Sequence, residues 1–243
     1  MNVKQKLVIK NVSKTFKKAN LEVLKNISLE VNNNELVGIV GPSGCGKSTL
    51  LDCIAGLVIA DSGEILLENK ASYMMQDDNL FPWRNILDNV ILPLEIEGIK
   101  KDAARKEAQK LLHLFGLEKF AAYYPFMLSG GMRQRVSLLR TYLCKKDVML
   151  LDEPFARLDA LTRRQMQEWF LTIWQKSKKS VLFVTHDVDE AILLSDRVYV
   201  MSKRPGRIVA EIGIDLERPR AVDVLSSKKF VDFKKRLLKV LKN

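Results

Sequence analysis

The sequence has no long hydrophobic run and few cysteines. No stretch reaches about 18 consecutive apolar residues, so we expect no segment to span a bilayer. The three cysteines, Cys45, Cys53 and Cys144, show neither C-x-x-C spacing nor partner histidines. We therefore expect neither a disulfide framework nor a zinc site, and we expect the chain to lie in a reducing cytosol. The first residues, "MNVKQKLVIKNVSKTF", also lack the apolar centre and cleavage site of a signal peptide.

Acidic residues are in the minority, because 29 Asp and Glu stand against 40 Lys and Arg, a formal net charge of +11. Such a charge can indicate nucleic acid, an anionic membrane surface or only solubility. The basic residues are spread along the chain, which disfavours a dedicated nucleic-acid groove. The densest patch, "SSKKFVDFKKRLLKVLKN", has Phe230, Phe233, Leu237 and Leu241 at helical spacing. That spacing favours a helix packed on the domain over one lying on lipid headgroups.

The 243 residues suit one large domain with a subdomain. Alternating residues in "KLVIKNVSKTF" and "EVLKNISLEV" predict half-buried strands, and "ELVGIV" predicts a buried one. Helical spacing dominates from Asn85 to Lys145, after which helix and strand patterns alternate. We therefore predict an α/β fold with a mainly parallel sheet. The expected parts are a core (1–84 and 146–215), a helical subdomain (85–145) and a basic tail (216–243).

The stretch "GPSGCGKST" matches the P-loop pattern between a predicted strand and a predicted helix. Its glycines allow backbone N–H groups to turn inward around an anion, and the helix dipole adds positive potential. Lys47 would bind the outer phosphates, and the Ser48 hydroxyl would ligate Mg²⁺. The predicted nucleoside triphosphate site comprises Gly41, Pro42, Ser43, Gly44, Cys45, Gly46, Lys47, Ser48 and Thr49.

The stretch "VMLLDEP" predicts a buried strand that ends in two carboxylates. Asp152 would hold Mg²⁺ through water, as in a Walker B motif. Glu153 follows it, and strand alternation would point its side chain to the other side. From there Glu153 would polarise the water that attacks the γ-phosphate.

A second glycine loop lies in "MLSGGMRQR". Taken alone, it predicts equally a helix start capped by Ser129 and a binding loop. Together, the P-loop, "LSGGM", "LLDEP" and the histidine of "VTHD" make the chain resemble the ATP-binding subunit of an ABC transporter over essentially its whole length.

The resemblance implies a P-loop ATPase core with an N-terminal antiparallel β-subdomain and an inserted α-helical subdomain. In such subunits two copies meet head to tail, and each ATP lies between the P-loop of one copy and the signature loop of the other. Residues expected to act on the ATP of the other copy are Ser129, Gly130, Gly131, Met132 and Asp159. Met132 stands where glutamine is commoner, and Arg157 where a small residue is usual.

The family's motifs also assign single residues. Phe16 matches the aromatic that stacks on adenine, with a strand-core phenylalanine as the alternative. Gln76, at the end of "SYMMQ", matches the glutamine that touches Mg²⁺ and the attacking water, and His186 matches the switch histidine at the γ-phosphate. His113 is expected only at the surface or in packing. The expected catalytic residues are Glu153, His186, Gln76 and Lys47, and the expected Mg²⁺ ligands are Ser48, Gln76 and Asp152.

Within the family, "LSGGMRQR", "LFPWRNILDNV" and "RPGRI" are similar to importers of nitrate, sulfonates, taurine or thiamine pyrimidine precursors. The resemblance implies a homodimer on the cytoplasmic face of the membrane. It also implies two permease subunits and, indirectly, an extracytoplasmic solute-binding protein. The permeases would dock near the Gln76 loop, where Phe81, Pro82 and Trp83 either receive a helix or pack on the core.

Two other functions remain open from the residues. The basic charge suits an ABC-type ATPase that acts on nucleic acid or ribosomes. The chain has only one modest helical segment between Lys47 and Ser129 and one cassette, so no nucleic acid partner is expected. A non-hydrolytic nucleotide sensor is disfavoured because Glu153 and His186 are both present.

Overall fold

The computed structural model describes residues 4–177, 179–220 and 222–242. Residues 1–3, 178, 221 and 243, which fall in the predicted core and tail, lie outside the described residues. Within these ranges the strands are β1 (Gln5–Phe16), β2 (Leu21–Asn32), β3 (Leu36–Val40), β4 (Ser62–Leu67), β5 (Ser72–Met74), β6 (Val148–Asp152), β7 (Ser180–Thr185), β8 (Arg197–Met201) and β9 (Ile208–Gly213). The helices are α1 (Lys47–Ala55), α2 (Ile86–Val90), α3 (Leu92–Ile96), α4 (Lys101–Leu112), α5 (Gly130–Leu143), α6 (Ala160–Ser177), α7 (Val188–Leu194) and α8 (Lys228–Lys242).

The first strands form a three-stranded antiparallel sheet in the order β2-β1-β4. Along β1 the apolar residues Leu7, Ile9 and Val12 are buried. The burial of Leu7 and Ile9 follows the predicted alternation, whereas Val12 is buried after an irregularity in the strand register between Ile9 and Val12.

A six-stranded sheet forms the centre, in the order β5-β6-β7-β3-β8-β9. All neighbours are parallel except β9, which pairs antiparallel with β8 and which the sequence patterns do not predict. Asp152 pairs with Val184, and Val40 pairs with Thr185. The carboxyl ends of β6, β7 and β3 therefore lie side by side, which is where open α/β sheets bind ligands.

The central sheet is covered on both faces, so β3, β6 and β7 are buried throughout. In β3, Val37 and Ile39 pack with α1 and the N-terminal sheet, whereas Leu36 and Val40 pack with the cluster that includes α2–α5. Helices α2–α5 follow β5 and precede β6. This arrangement confirms the predicted α/β class with an antiparallel β-part and an inserted helical part.

The C-terminal segment packs on the domain. Phe230 and Leu237 of α8 are buried, and Lys234 forms an ion pair with Asp189 of α7 (2.8 Å). Arg220 is also buried, and it donates hydrogen bonds to the carbonyls of Ile192, Leu193, Ser195, Ile214 and Leu216. Burial lowers the pKa of Arg220 to about 10, so the guanidinium stays charged at neutral pH. Among the described residues, no helix is both long and apolar enough to cross a membrane.

Candidate functional site

The first glycine loop joins β3 to α1 at the carboxyl edge of the central sheet. Gly44 (φ +72°) and Gly46 (φ +112°) have left-handed backbones that other residues rarely adopt. A Cβ on Gly46 would also lie 2.9 Å from the side chains of both Leu24 and Val23. This close approach requires glycine, and it places the loop directly against β2.

Lys47 is the first residue of α1 and is buried inside the loop. Its Nζ donates hydrogen bonds to the carbonyl oxygens of Gly41 (2.9 Å) and Pro42 (3.0 Å). The ammonium group therefore lies within the curve of the loop, where its charge attracts an anion. Ser48 and Thr49 follow on the first turn of the helix.

Asp152 ends β6 and is 4% exposed. Burial raises the pKa of its carboxyl, and the neighbouring Ser48 side chain acts in the opposite direction. Asp152 Oδ1 is buried and has no hydrogen-bond partner among the described residues. A hydroxyl and a carboxylate with an unpartnered oxygen are hard oxygen donors of the kind that Mg²⁺ prefers. The two residues therefore fit a magnesium ion.

Glu153 differs from the expectation based on strand alternation, because β6 ends one residue before it. Its backbone is left-handed (φ +45°), and its N–H donates to the Val184 carbonyl (3.0 Å). Such a conformation costs about 1–3 kcal/mol and is concentrated at functional sites. The backbone turn, rather than alternation, therefore sets the direction of this side chain.

The Glu153 carboxylate has two polar neighbours. Its Oε1 lies 3.1 Å from Nδ1 of His186, the residue after β7, and its Oε2 accepts a hydrogen bond from Gln76 Nε2 (3.4 Å). Gln76 lies two residues beyond β5 rather than at its end, which corrects the expected strand boundary. Three residues distant in sequence thus form one cluster.

A cleft of about 530 Å³ joins this cluster to the glycine loop. Phe16, at the end of β1, is 40% exposed and lines the cleft, which disfavours its alternative placement in the strand core. The lining residues are Phe16, Leu21, Val23, Ser43, Gly44, Gly46, Lys47, Ser48, Thr49, Gln76, Glu153, His186 and Arg204.

Three lining residues escaped the sequence analysis. Leu21 and Val23 belong to β2, where their alternation indicates only a strand. Arg204 donates from Nε (2.9 Å) and Nη2 (2.5 Å) to the Gly44 carbonyl, although 160 residues separate the two. The Pro-Gly pair that follows Arg204 indicates a turn, and nothing in its local pattern indicates a contact with the P-loop.

The second glycine loop does not reach the cleft of its own chain. Ser129 is the N-cap of α5, and its Oγ accepts a hydrogen bond from the N–H of Met132 (3.3 Å). A Cβ on Gly130 would meet nothing within 4 Å, whereas one on Gly131 would lie 3.0 Å from Cγ2 of Thr162. Contacts within the chain therefore explain part of the need for Gly131 and none of the need for Gly130. Met132 is half-buried against the hydrophobic core.

Asp159 lies apart from the cleft as well and immediately precedes α6. Its Oδ1 accepts hydrogen bonds from the N–H groups of Leu161 and Thr162 (3.1 Å each). Hydrogen bonds from Thr162 hold the pKa of this carboxyl below its usual value. The residue is thus a helix cap whose side chain remains at the surface.

The loop after Gln76 forms ion pairs with α5 and with Arg157, the residue that stands where the family usually has a small one. Arg133 forms an ion pair with Asp78 (2.9 Å), and Arg157 forms one with Asp77. Further along, Phe81 and Trp83 pack together with ring centroids 5.1 Å apart. Trp83 is nevertheless 71% exposed, which disfavours its alternative placement in a satellite core.

Comparison with known proteins identifies related sequences. The ABC transporter family profile matches residues 24–156, more than half of the chain. An uncharacterized ABC transporter ATP-binding protein, MJ0412 of Methanocaldococcus jannaschii, is 46% identical over 99% of this chain and 93% of its own length. The taurine import ATP-binding protein TauB of Rhizobium johnstonii is 43% identical over 82% and 79%. The formylaminopyrimidine import ATP-binding protein ThiZ of Halalkalibacterium halodurans is 43% identical over 89% and 88%.

Solved structures of MJ0796, a bacterial ABC transporter cassette, have the same fold. Its dimeric structure superposes with a TM-score of 0.76 at 30% identity, covering 87% of this chain and all of that one. A second dimeric structure, with the same score and coverage, is a post-hydrolysis state bound to ADP and Pi. The family profile, the relatives that match most of the chain and the post-hydrolysis structure of MJ0796 all indicate the same family and activity. The chain therefore belongs to the ABC transporter family of ATP-binding proteins, and it is an ATPase.

Proposed function

We propose that this chain is the subunit that hydrolyses ATP to drive an importer of a small solute, and that it works as a head-to-tail homodimer. The observation that carries the proposal is the convergence of Lys47, Gln76, Glu153 and His186 on one cleft, whose lining includes no residue of the second glycine loop. Such an arrangement suits a reaction chamber completed by another molecule.

ATP would lie with its adenine on Phe16, beside the apolar wall of β2, and with its phosphates in the P-loop. Lys47 would turn its ammonium from the Gly41 and Pro42 carbonyls towards the outer phosphates. Ser48, Asp152 and Gln76 would hold the magnesium ion. When bound, that ion neutralises phosphate charge and orients the phosphate oxygens.

In the reaction, a water oxygen attacks the γ-phosphorus and the bond to the β-phosphate oxygen breaks, which yields ADP and phosphate. Glu153 would orient this water and accept its proton, as a positioned general base does. Gln76 and His186 hold the two oxygens of Glu153 in the observed geometry. His186 would in addition donate a hydrogen bond to the γ-phosphate.

A second copy would supply the opposite wall of the chamber. Ser129, the glycines and Met132 would face the γ-phosphate of the partner's ATP, with the N-terminal dipole of α5 behind them. Asp159 would lie at the dimer contact. Gly130 supports this role because nothing in its own chain occupies the space around it. Closure with ATP and opening after hydrolysis would then be a ligand-driven shift of population.

Transport would need two permease subunits, and an extracytoplasmic binding protein would deliver the solute to them. The exposed Trp83, with Phe81 beside it, supports docking of a permease helix near the Gln76 loop. The chain would thus sit at the cytoplasmic face of the membrane. The names of TauB and ThiZ favour a solute of the taurine, sulfonate or thiamine-precursor type, within an importer group that also takes up nitrate.

The test is Glu153→Gln, which keeps the shape of the side chain and removes its basicity. We expect turnover to fall by about 10²–10⁴-fold, with an ATP-bound dimer accumulating in size-exclusion chromatography. Glu118→Gln, in an exposed turn, is the matched control and should leave turnover unchanged. Hydrolysis at the parent rate by Glu153→Gln would refute the assigned role. Purification from membranes should recover multi-span subunits, and recovery of nucleic acid in their place would contradict the importer.

A further inference from the structure

The segment Arg204–Gly206 lies between the two walls of the nucleotide cleft. On one side, the Arg204 guanidinium donates two hydrogen bonds to the Gly44 carbonyl of the P-loop. On the other side, the N–H of Gly206 donates to Val23 (2.8 Å), and Gly206 accepts from the N–H of Lys25 (3.0 Å). One short turn thus joins the phosphate loop to the strand that forms the apolar wall.

Gly206 shows how closely the parts fit. A Cβ at this position would collide with the Cys45 carbonyl and with the end of the Met201 side chain. No other residue type could bring the turn so near to the P-loop. The turn at Gly206 is therefore packed directly against the backbone of the P-loop.

The bonds to Gly44 have an electrostatic consequence. For the N–H groups of the loop to turn towards a phosphate, loop carbonyls must point elsewhere and find donors there. Lys47 donates hydrogen bonds to the carbonyl oxygens of Gly41 and Pro42, and Arg204 donates to the carbonyl oxygen of Gly44. Arg204 also lines the cleft itself, so its charge adds to the attraction of a polyanion.

We propose that Arg204 is a positioning residue for the nucleotide: by holding the Gly44 carbonyl it keeps the P-loop in its phosphate-binding form. The inference rests on the proposed placement of ATP in this cleft. It predicts an effect on nucleotide affinity rather than on the hydrolysis step, because Arg204 contacts neither Glu153 nor His186 in the described structure.

The chain offers a matched control in Arg207, three residues further along the same turn. Arg207 has no side-chain hydrogen bond or ion pair to any described residue. Arg204→Gln and Arg207→Gln remove the same charge from the same region. A difference between them therefore reports the position of Arg204 at the cleft and its bonds to Gly44, and not the net charge of the chain.

The experiment measures the Kd for ADP by calorimetry, and KM and kcat for ATP, on the full-length chain. We expect Arg204→Gln to raise Kd and KM by about tenfold and to leave kcat within about twofold of the parent. Arg204→Lys, which keeps the charge and one possible donor contact, should recover part of the affinity. Arg207→Gln should match the parent.

Two results would overturn the inference: ADP binding by Arg204→Gln within twofold of the parent, or equal weakening by Arg207→Gln. Lys47→Ala separates this failure from failure of the proposed function. If Lys47→Ala abolishes ADP binding while Arg204→Gln does not alter it, only the role of Arg204 is wrong. If Lys47→Ala binds ADP as the parent does, the placement of ATP in this cleft is wrong as well.

Discussion

Gly46 and Gly130 each stand at the start of a helix, yet their surroundings are opposite. Gly46 has a left-handed backbone and is pressed against Leu24 and Val23, whereas Gly130 has an ordinary backbone and open space around its Cα. Glycine is thus required at the first position by the chain's own packing. At the second, the described chain has no such requirement. Because Gly130 lies in the loop that matches the family's signature, the open space around it leaves room for the nucleotide of a partner, and this supports the proposed homodimer.

Among the substitutions that test this comparison, Gly46→Ala has the largest expected effect. The added Cβ would meet two side chains of β2, and the alanine would have to adopt a left-handed backbone. We therefore expect the free energy of unfolding to fall by about 2 kcal/mol or more. Displacement of the P-loop should lower the ATPase rate by about 100-fold. Urea denaturation and a phosphate-release assay measure the two effects. Parent stability in this variant would show that the described packing of Gly46 is wrong.

Gly130→Ala should separate activity from stability. Alanine suits the first turn of α5, so the unfolding free energy should stay constant or rise by up to about 1 kcal/mol. The ATPase rate should nevertheless fall by about tenfold or more, because the new Cβ intrudes on the partner's nucleotide.

Gly213→Ala is the control for this variant, since a Cβ there also meets nothing within 4 Å. It should change neither quantity appreciably. If Gly130→Ala keeps full ATPase activity, the contrast between the two glycine loops loses its functional meaning.

The smallest effect is expected from Arg157→Ala, which removes the ion pair with Asp77. Both side chains are more than half exposed, so the pair should contribute less than about 1 kcal/mol to stability. We expect an ATPase rate within about threefold of the parent, measured at low and at physiological salt. A tenfold change would instead assign Arg157 to the contact between the copies, which would add a third element to the comparison.

Local spacing was enough to predict the fold class and to single out the P-loop and Asp152, because their chemistry is carried by neighbouring residues. Phe16, Gln76, His186 and the signature loop depended on resemblance. Arg204 could not be predicted, since its contact with Gly44 is made across 160 residues by a turn whose position only the folded chain defines. The side-chain direction predicted for Glu153 from strand alternation was wrong, because the backbone leaves the strand at that residue.

Arg220 has a consequence for how the chain can be shortened. Its side chain donates to the carbonyls of Ile192, Leu193 and Ser195 at the end of α7, the helix that begins two residues after His186, and to those of Ile214 and Leu216. Deletion from Arg220 onwards would leave those oxygens without their donor and would uncover the surface on which α8 rests. The basic tail therefore holds in place the helix that follows His186, the proposed switch histidine.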